Sequence, residues 1–245
     1  MKIEITGHDL NAIIENFKQK PQELFLNDYA RYVISLRRYK EAKGQLKFTD
    51  DHDSLFVDAI EHNVKGLESF GSVARTNRLI RPLYAIDRVF FGAQNLKALC
   101  VGPRTEMELF SMVGQGFRPE NIKGLDLFSY SPWIEVGNMH KMPYADNSFD
   151  VLIAGWVLTY SDDPDQACRE FLRVVGDKGI IAIGATVLDE AGRAKESQLG
   201  RTAKHYPGAD QLLAVFGKHV RNVYVRHESE PGQEGRTIVI FDVNK

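Results

Sequence analysis

Apolar positions in residues 1–95 recur at intervals of three to four. The stretches Glu23–Tyr39 and Ser54–Leu67 carry this spacing most clearly and predict helices. Pro21 suits the first turn of a helix, and Asp50, Asp51 and Asp53 suit the start of the one that contains Leu55. The triplet Asp51-His52-Asp53 has metal-binding residue types, but no second ligand group stands at a recognisable spacing, so helix-start chemistry is the better reading.

At about residue 96 the pattern changes to short apolar runs alternating with helical spacing. Lys97–Val101 is an apolar run closed by Gly102-Pro103, and Glu106–Val113 reads as a helix. Strands follow over Ile122–Leu127 and Trp133–Val136, then a loop around Pro143 and a buried strand over Phe149–Ala154. A helix over Pro164–Val175 precedes a strand over Lys178–Val187, opened by an Asp177-Lys178-Gly179 turn. This alternation predicts a parallel α/β sheet covered on both faces. The tail differs: a helix over Ala209–Phe216, then Val220–His227 and Thr237–Val243 joined through a turn at Pro231–Gly235, which predicts an antiparallel pair. The chain therefore divides into a helical extension or lid, 1–95, and a sheet-bearing domain, 96–245.

Composition narrows the class. With 43% hydrophobic and 26% charged residues, the chain has ample material for a core. A formal net charge of −2 gives no general attraction to phosphate backbones, so nucleic acid is not favoured as a partner. No window is apolar enough for a membrane span, and Met1–Ile5 lacks the apolar run of a secretory signal. Cys100 and Cys168 sit in apolar segments without C-x-x-C spacing, which reads as two buried thiols in a reducing cytoplasm. A homo-oligomer is compatible with all of this.

Ligands of open α/β sheets bind beyond the carboxyl ends of the strands, and three such ends carry suggestive residues. At Val101-Gly102-Pro103-Arg104-Thr105-Glu106, Gly102 permits a sharp turn and close approach to a ligand, and Glu106 could accept from a cationic amino group or simply start the helix. Asp126 closes the next strand 24 residues after Gly102, where a carboxylate can accept both hydroxyls of a ribose. Asn138 and Met139 follow the short third strand, an amide for a base edge and a thioether for its face.

The stretch Met142-Pro143-Tyr144-Ala145-Asp146-Asn147-Ser148-Phe149-Asp150-Val151 resembles the "LPF-x-DNSFDVV" signature of class I S-adenosylmethionine (SAM)-dependent methyltransferases, type 11-like. Trp156–Pro164 resembles that family's "HVLEHVxDP", and Phe171–Gly179 its "RVLKPGG" turn. The resemblance covers residues 97–188. It implies a Rossmann-like class I methyltransferase fold: a seven-stranded, mostly parallel sheet with an antiparallel last strand, preceded by a helical N-terminal extension. It also implies SAM as cofactor and methyl transfer to a small-molecule acceptor. Gly102 and Pro103 would lie under the methionine part, Asp126 would hold the ribose, and Asn138 and Met139 would flank the adenine. Ala154, Gly155 and Trp156 would border the sulfonium and the acceptor.

One departure matters. The family reads "D-x-G-x-G-x-G" at the first turn, whereas this chain has Cys100, Gly102, Arg104 and Glu106 at those positions. The resemblance thus implies a variant site in which Glu106 takes the SAM amino group, with a SAM-free binding or scaffold protein as the alternative. A nicotinamide dehydrogenase is disfavoured, because the first turn lacks G-x-G-x-x-G. Should the acceptor need a base, Tyr160, His205 and, less so, His140 are the candidates. Arg75, Arg78 and Arg81 form a basic helical stripe, a solvated face or a dock for an anion.

Overall fold

The computed structural model describes residues 4–49, 60, 64, 66–68, 72–161, 163–198, 206, 208–230 and 235–245. The expected helix over Ser54–Leu67 and the acids at its start fall largely outside these residues, as do His205 and most of the Pro231–Gly235 turn.

The N-terminal segment is helical. Helix α1 (Gly7–Gln19) opens on a capping box between Thr6 and Asp9. The segment expected as one helix over Glu23–Tyr39 is instead split at Asn27: a 3₁₀ turn, Pro21–Leu26, gives way to α2 (Asp28–Ala42). The Asn27 side chain accepts from the Ala30 amide at 2.9 Å, a capping role that stops one helix and starts the next. After β1 (Lys47–Phe48), helices α3 (Ser72–Leu83) and α4 (Asp87–Gly92) lead to the sheet.

The sheet strands are β2 (Ala98–Val101), β3 (Ile122–Asp126), β5 (Ile134–Val136), β6 (Phe149–Gly155), β7 (Val175–Val187), β8 (Val220–His227) and β9 (Gly235–Val243). Their spatial order is β5-β3-β2-β6-β7-β9-β8. The first five run parallel, and β9 is antiparallel to both β7 and β8. Between these strands lie β4 (Phe128–Ser129), α5 (Met107–Gly114), α6 (Pro164–Val174), α7 (Glu190–Gln198) and α8 (Ala209–Ala214). The extension is tied to this body: β1 pairs with β4, and α3 packs on α5, β6, β7 and β9.

Alternation along the strands sorts side chains to two apolar layers. Leu99, Val101, Leu152, Ala154, Ile181, Ile183, Val239 and Phe241 face α6, α8 and the turn after α8 through Cys168, Phe171, Leu212 and Phe216. Ala98, Cys100, Val151, Ile153, Ile180, Ala182, Ile238 and Ile240 face α3 and α5 through Leu79, Ile80, Leu83, Leu109 and Met112. Each fully buried Leu, Ile or Phe contributes about 1.5–3 kcal/mol by leaving water. Both cysteines are buried free thiols, and burial pushes both up, away from the reactive thiolate.

Strand β7 begins three residues before the expected Lys178. Val175 already pairs with Phe149, and the Asp177-Lys178-Gly179 turn is an irregularity inside the strand, with Lys178 at φ 59°. A Cβ on Gly179 would meet Val175 Cγ1 at 2.2 Å, so the fold-back needs glycine there.

Helix α6 also organises the loop that leads into β6. Glu170 accepts from the Met142 amide at 2.7 Å, while Arg173 binds Glu170, the Tyr144 and Met142 carbonyls and Asp146. The 142–150 signature is thus held from the following helix. Arg173 and the Met142 amide hold the Glu170 carboxyl below the usual carboxylate range, working against its burial. A depressed folded-state value means stability that is present above the unfolded value and is lost as pH falls through the folded one. Urea unfolding between neutral pH and pH about 3 should therefore show a steeper acid loss for wild type than for Glu170→Gln. Parallel pH dependences would remove Glu170 from the acid limb.

Candidate functional site

The strand order reverses between β2 and β6, because β3 and β5 were added on one side of β2 and β6 on the other. Such a switch point leaves a crevice beyond the carboxyl ends. Gly102 stands at the end of β2, Asp126 at the end of β3, and Gly155-Trp156 at the end of β6.

The turn after β2 keeps a glycine-type backbone with an arginine in it. Gly102 has φ +64° and Arg104 has φ 60°, both in the left-handed region. The Gly102 amide donates to the Leu125 carbonyl at 2.7 Å. The Arg104 amide donates to Asp126 Oδ2 at 2.9 Å, and Oδ1 accepts from the Leu127 amide at 2.8 Å. Asp126, 5% exposed, thus ties the ends of β2 and β3 together. Left-handed backbone costs a non-glycine residue about 1–2 kcal/mol, and glycine gives back part of this through unfolded-state entropy. Arg104→Gly should raise stability by about 1 kcal/mol and the melting temperature by about 2–4 °C in calorimetry. A lower melting temperature would show that the Arg104 side chain contributes more than its backbone costs.

Glu106 has its side chain fully buried and is engaged from the N-terminal extension. Arg38 of α2 binds it with two bonds, Nε to Oε2 at 2.6 Å and Nη2 to Oε1 at 2.9 Å. The Ser131 hydroxyl donates to Oε1 at 2.5 Å. The Glu106 amide donates to Tyr130 Oη at 3.2 Å, and Tyr130 in turn shares a 3.2 Å bond with Ser35. Burial pushes the Tyr130 phenol up to about 12, so it stays protonated. The carboxylate expected to meet an amino group therefore already has a guanidinium partner. The exposed part of the pair is Arg38, whose side chain is 35% accessible.

Across the crevice, Trp156 also has a left-handed backbone, φ 61°, with its amide bonded to the Gly184 carbonyl at 2.7 Å. Its indole lies on Gly184, 3.5 Å from where a Cβ would stand. Val157 closes on Gly102: a Cβ there would meet Val157 Cγ1 at 2.3 Å, so the turns after β2 and β6 touch. Ala154 is buried in the sheet and pairs with Val101. Pro103 packs beside Gly124.

Below these ends, Asn138, His140 and Ser161 form one chain. Asn138 Oδ1 accepts from the His140 amide at 2.9 Å and lies 2.7 Å from His140 Nδ1, while His140 Nε2 lies 2.7 Å from Ser161 Oγ. His140 therefore braces the loop after β5 against the loop after β6. Met139 packs on the core. Tyr160 is 43% exposed. Arg38, Tyr130 and Ser131 escaped the sequence reading; a glutamate in the apolar α5 start signalled a distant cation, but no spacing said which.

Among the described residues no group of three or more His, Cys, Asp or Glu could hold a metal, and no helix is long and apolar enough to cross a membrane. A family model described as a methyltransferase domain matches residues 115–183. The same fold occurs in 1,6-didemethyltoxoflavin-N1-methyltransferase of Burkholderia thailandensis, solved with 1,6-didemethyltoxoflavin and S-adenosylhomocysteine: TM-score 0.54, 13% identity, covering 82% of this chain and 95% of that one. It occurs also in a chain of the Haloferax volcanii complex between the Trm112 methyltransferase activator and its methyltransferase partner: TM-score 0.53, 14% identity, covering 78% and 96%. No curated protein matches the chain in sequence.

Proposed function

We infer, from a chain with the class I methyltransferase fold and a methyltransferase-domain match over residues 115–183, that it transfers a methyl group from SAM to a small-molecule acceptor. The observation that carries this reading is Asp126, a carboxylate at the end of β3 bonded to the backbone of the turn after β2, at the switch point.

The residues present suit SAM. Its ribose requires an acceptor of two hydroxyls, which Asp126 provides, and its adenine a polar edge and an apolar face, which Asn138 and Met139 provide. Its amino-acid end is a zwitterion. Glu106, with no exposed surface, holds Arg38 at the first turn in place of meeting the amino group, and the accessible Arg38 suits the carboxylate. Gly102, Pro103 and Arg104 supply backbone there; Trp156 stands at the opposite side, while Ala154 and Gly155, expected beside it, are buried at the end of β6 and support that side from within the sheet. SAM supplies an electrophilic methyl when bound. The protein's own share is orientation and exclusion of water, with α2 closing the methionine end of the crevice and the 1–95 extension acting as its lid. Tyr160 and His205 remain the candidates for a base where the acceptor must lose a proton. Two buried thiols suit a cytoplasmic enzyme.

A test uses methyl-labelled SAM, the purified protein and a deproteinised extract of small molecules. Label is expected in the small-molecule pool. Label appearing only in added protein or RNA, or nowhere, contradicts the reading. A second reading, a methyltransferase-fold protein that no longer binds SAM, is favoured by the Glu106–Arg38 pair and by Val157 seated on Gly102. It predicts no label transfer and no SAM-dependent rise in melting temperature.

A further inference from the structure

The basic stripe of α3 separates into two kinds of arginine. Arg81 joins Arg31 on Asp28, so it has an acidic partner. Among the described residues no acid lies within ion-pair distance of Arg78, and the charge beside it is another arginine, Arg236 at the start of β9.

The fold places this pair. Strand β9 runs antiparallel to β7, so its first residues stand at the carboxyl end of the parallel strands. Arg236 pairs with Thr186, two residues, or about 7 Å, beyond Gly184, on which the Trp156 indole rests. Alternation puts Arg236 on the same face as Ile238 and Ile240, which pack in one layer with Leu79, Ile80 and Trp156. Arg78 immediately precedes Leu79 in α3, which lies on β9. Both arginines are half-buried. Burial and, after it, the Arg236 charge lower the affinity of Arg78 for its proton, the direction expected of two cations held together without an anion.

We propose that Arg78 and Arg236 bind an oxyanion, carboxylate or phosphate, of the methyl acceptor, whose reacting end then reaches past Trp156 to the crevice. As a statement about the acceptor, this rests on the methyl-transfer reading. A guanidinium fork matches the bidentate geometry of either anion, and an anion held by two neighbouring arginines converts their repulsion into attraction. The separation of this rim from the turn after β6 suits a small molecule, with the Trp156 ring as its apolar flank.

The experiment is an NMR titration of the arginine Nε–Hε signals of the whole chain with inorganic phosphate, benzoate and neutral benzamide at constant ionic strength. The Arg78 and Arg236 signals are assigned by their loss in Arg78→Gln and Arg236→Gln. Saturable shifts of both signals with phosphate or benzoate, and not with benzamide, support the site. Whichever anion saturates identifies the group. Either variant is expected to weaken binding about ten-fold or more, from loss of charge-assisted bonds. Because both residues are half-buried and mutually repulsive, each variant is expected to retain the wild-type melting temperature within a few degrees. Linear drift, shifts in only one arginine, or equal shifts with benzamide overturn the site. SAM binding is measured on the same samples. Anion saturation without SAM binding refutes methyl transfer and leaves the site standing; SAM binding without anion saturation refutes the site alone.

Discussion

Replacing Arg38 with alanine is expected to lower the unfolding free energy by about 3 kcal/mol, the low end of what breaking a buried ion pair costs. The size follows from the asymmetry of the pair. Glu106 has a side chain with no solvent exposure, whereas that of Arg38 is 35% exposed. Removing the arginine leaves a carboxylate in the interior with the Ser131 hydroxyl as a neutral partner at 2.5 Å. Water entering through the space vacated by Arg38 offsets part of the penalty, hence the low end of the range. The paired change Arg38→Leu with Glu106→Leu should recover most of the loss, since removing both charges also removes both desolvation costs. Urea unfolding of the single and double variants checks this. An Arg38→Ala protein within about 0.5 kcal/mol of wild type would show that the carboxylate does not depend on α2.

Replacing Asp126 with alanine is expected to weaken SAM binding at least 100-fold. Two ribose hydroxyls donating to a carboxylate account for about 1.5–3 kcal/mol each, so losing both gives two orders of magnitude or more. The variant also loses the bonds to the Arg104 and Leu127 amides, 2.9 and 2.8 Å in the native chain, which fix the first turn. Asp126→Asn separates these effects. It keeps the shape and one acceptor oxygen, so its melting temperature should stay closer to wild type than that of Asp126→Ala while its affinity still falls. Equilibrium dialysis with labelled SAM reads the affinities, and calorimetry the melting temperatures. Affinity unchanged in Asp126→Ala would remove the β3 end from the cofactor site.

What could be read in the sequence follows from how each feature is encoded. The strands of the sheet are buried on both faces and therefore appear as unbroken apolar runs such as Leu99–Val101 and Val151–Ala154, each ending at a glycine or a polar residue. Asp126 was legible because its distance from Gly102 along the chain is set by one helix and one strand. Boundaries decided by a single side chain were not: Asn27 divides a continuous helical pattern by capping, and the turn at Lys178 sits inside β7 because pairing with β6 starts before it. The Glu106–Arg38 pair was illegible for a different reason. Its members are 68 residues apart, on elements whose packing, and not whose periodicity, brings them together. Arg104 shows a related limit: the sequence reports a lost glycine, while the backbone retains a glycine conformation at φ 60°.

The crevice between the ends of β2, β3 and β6 is proposed to bind SAM despite Arg104 and Glu106. Calorimetric titration of the wild-type chain with S-adenosylhomocysteine is the decisive measurement. Saturable one-to-one binding, abolished by Asp126→Ala in protein that remains folded, is the predicted result; a folded wild-type protein that gives neither binding heat nor a shift in melting temperature would contradict it.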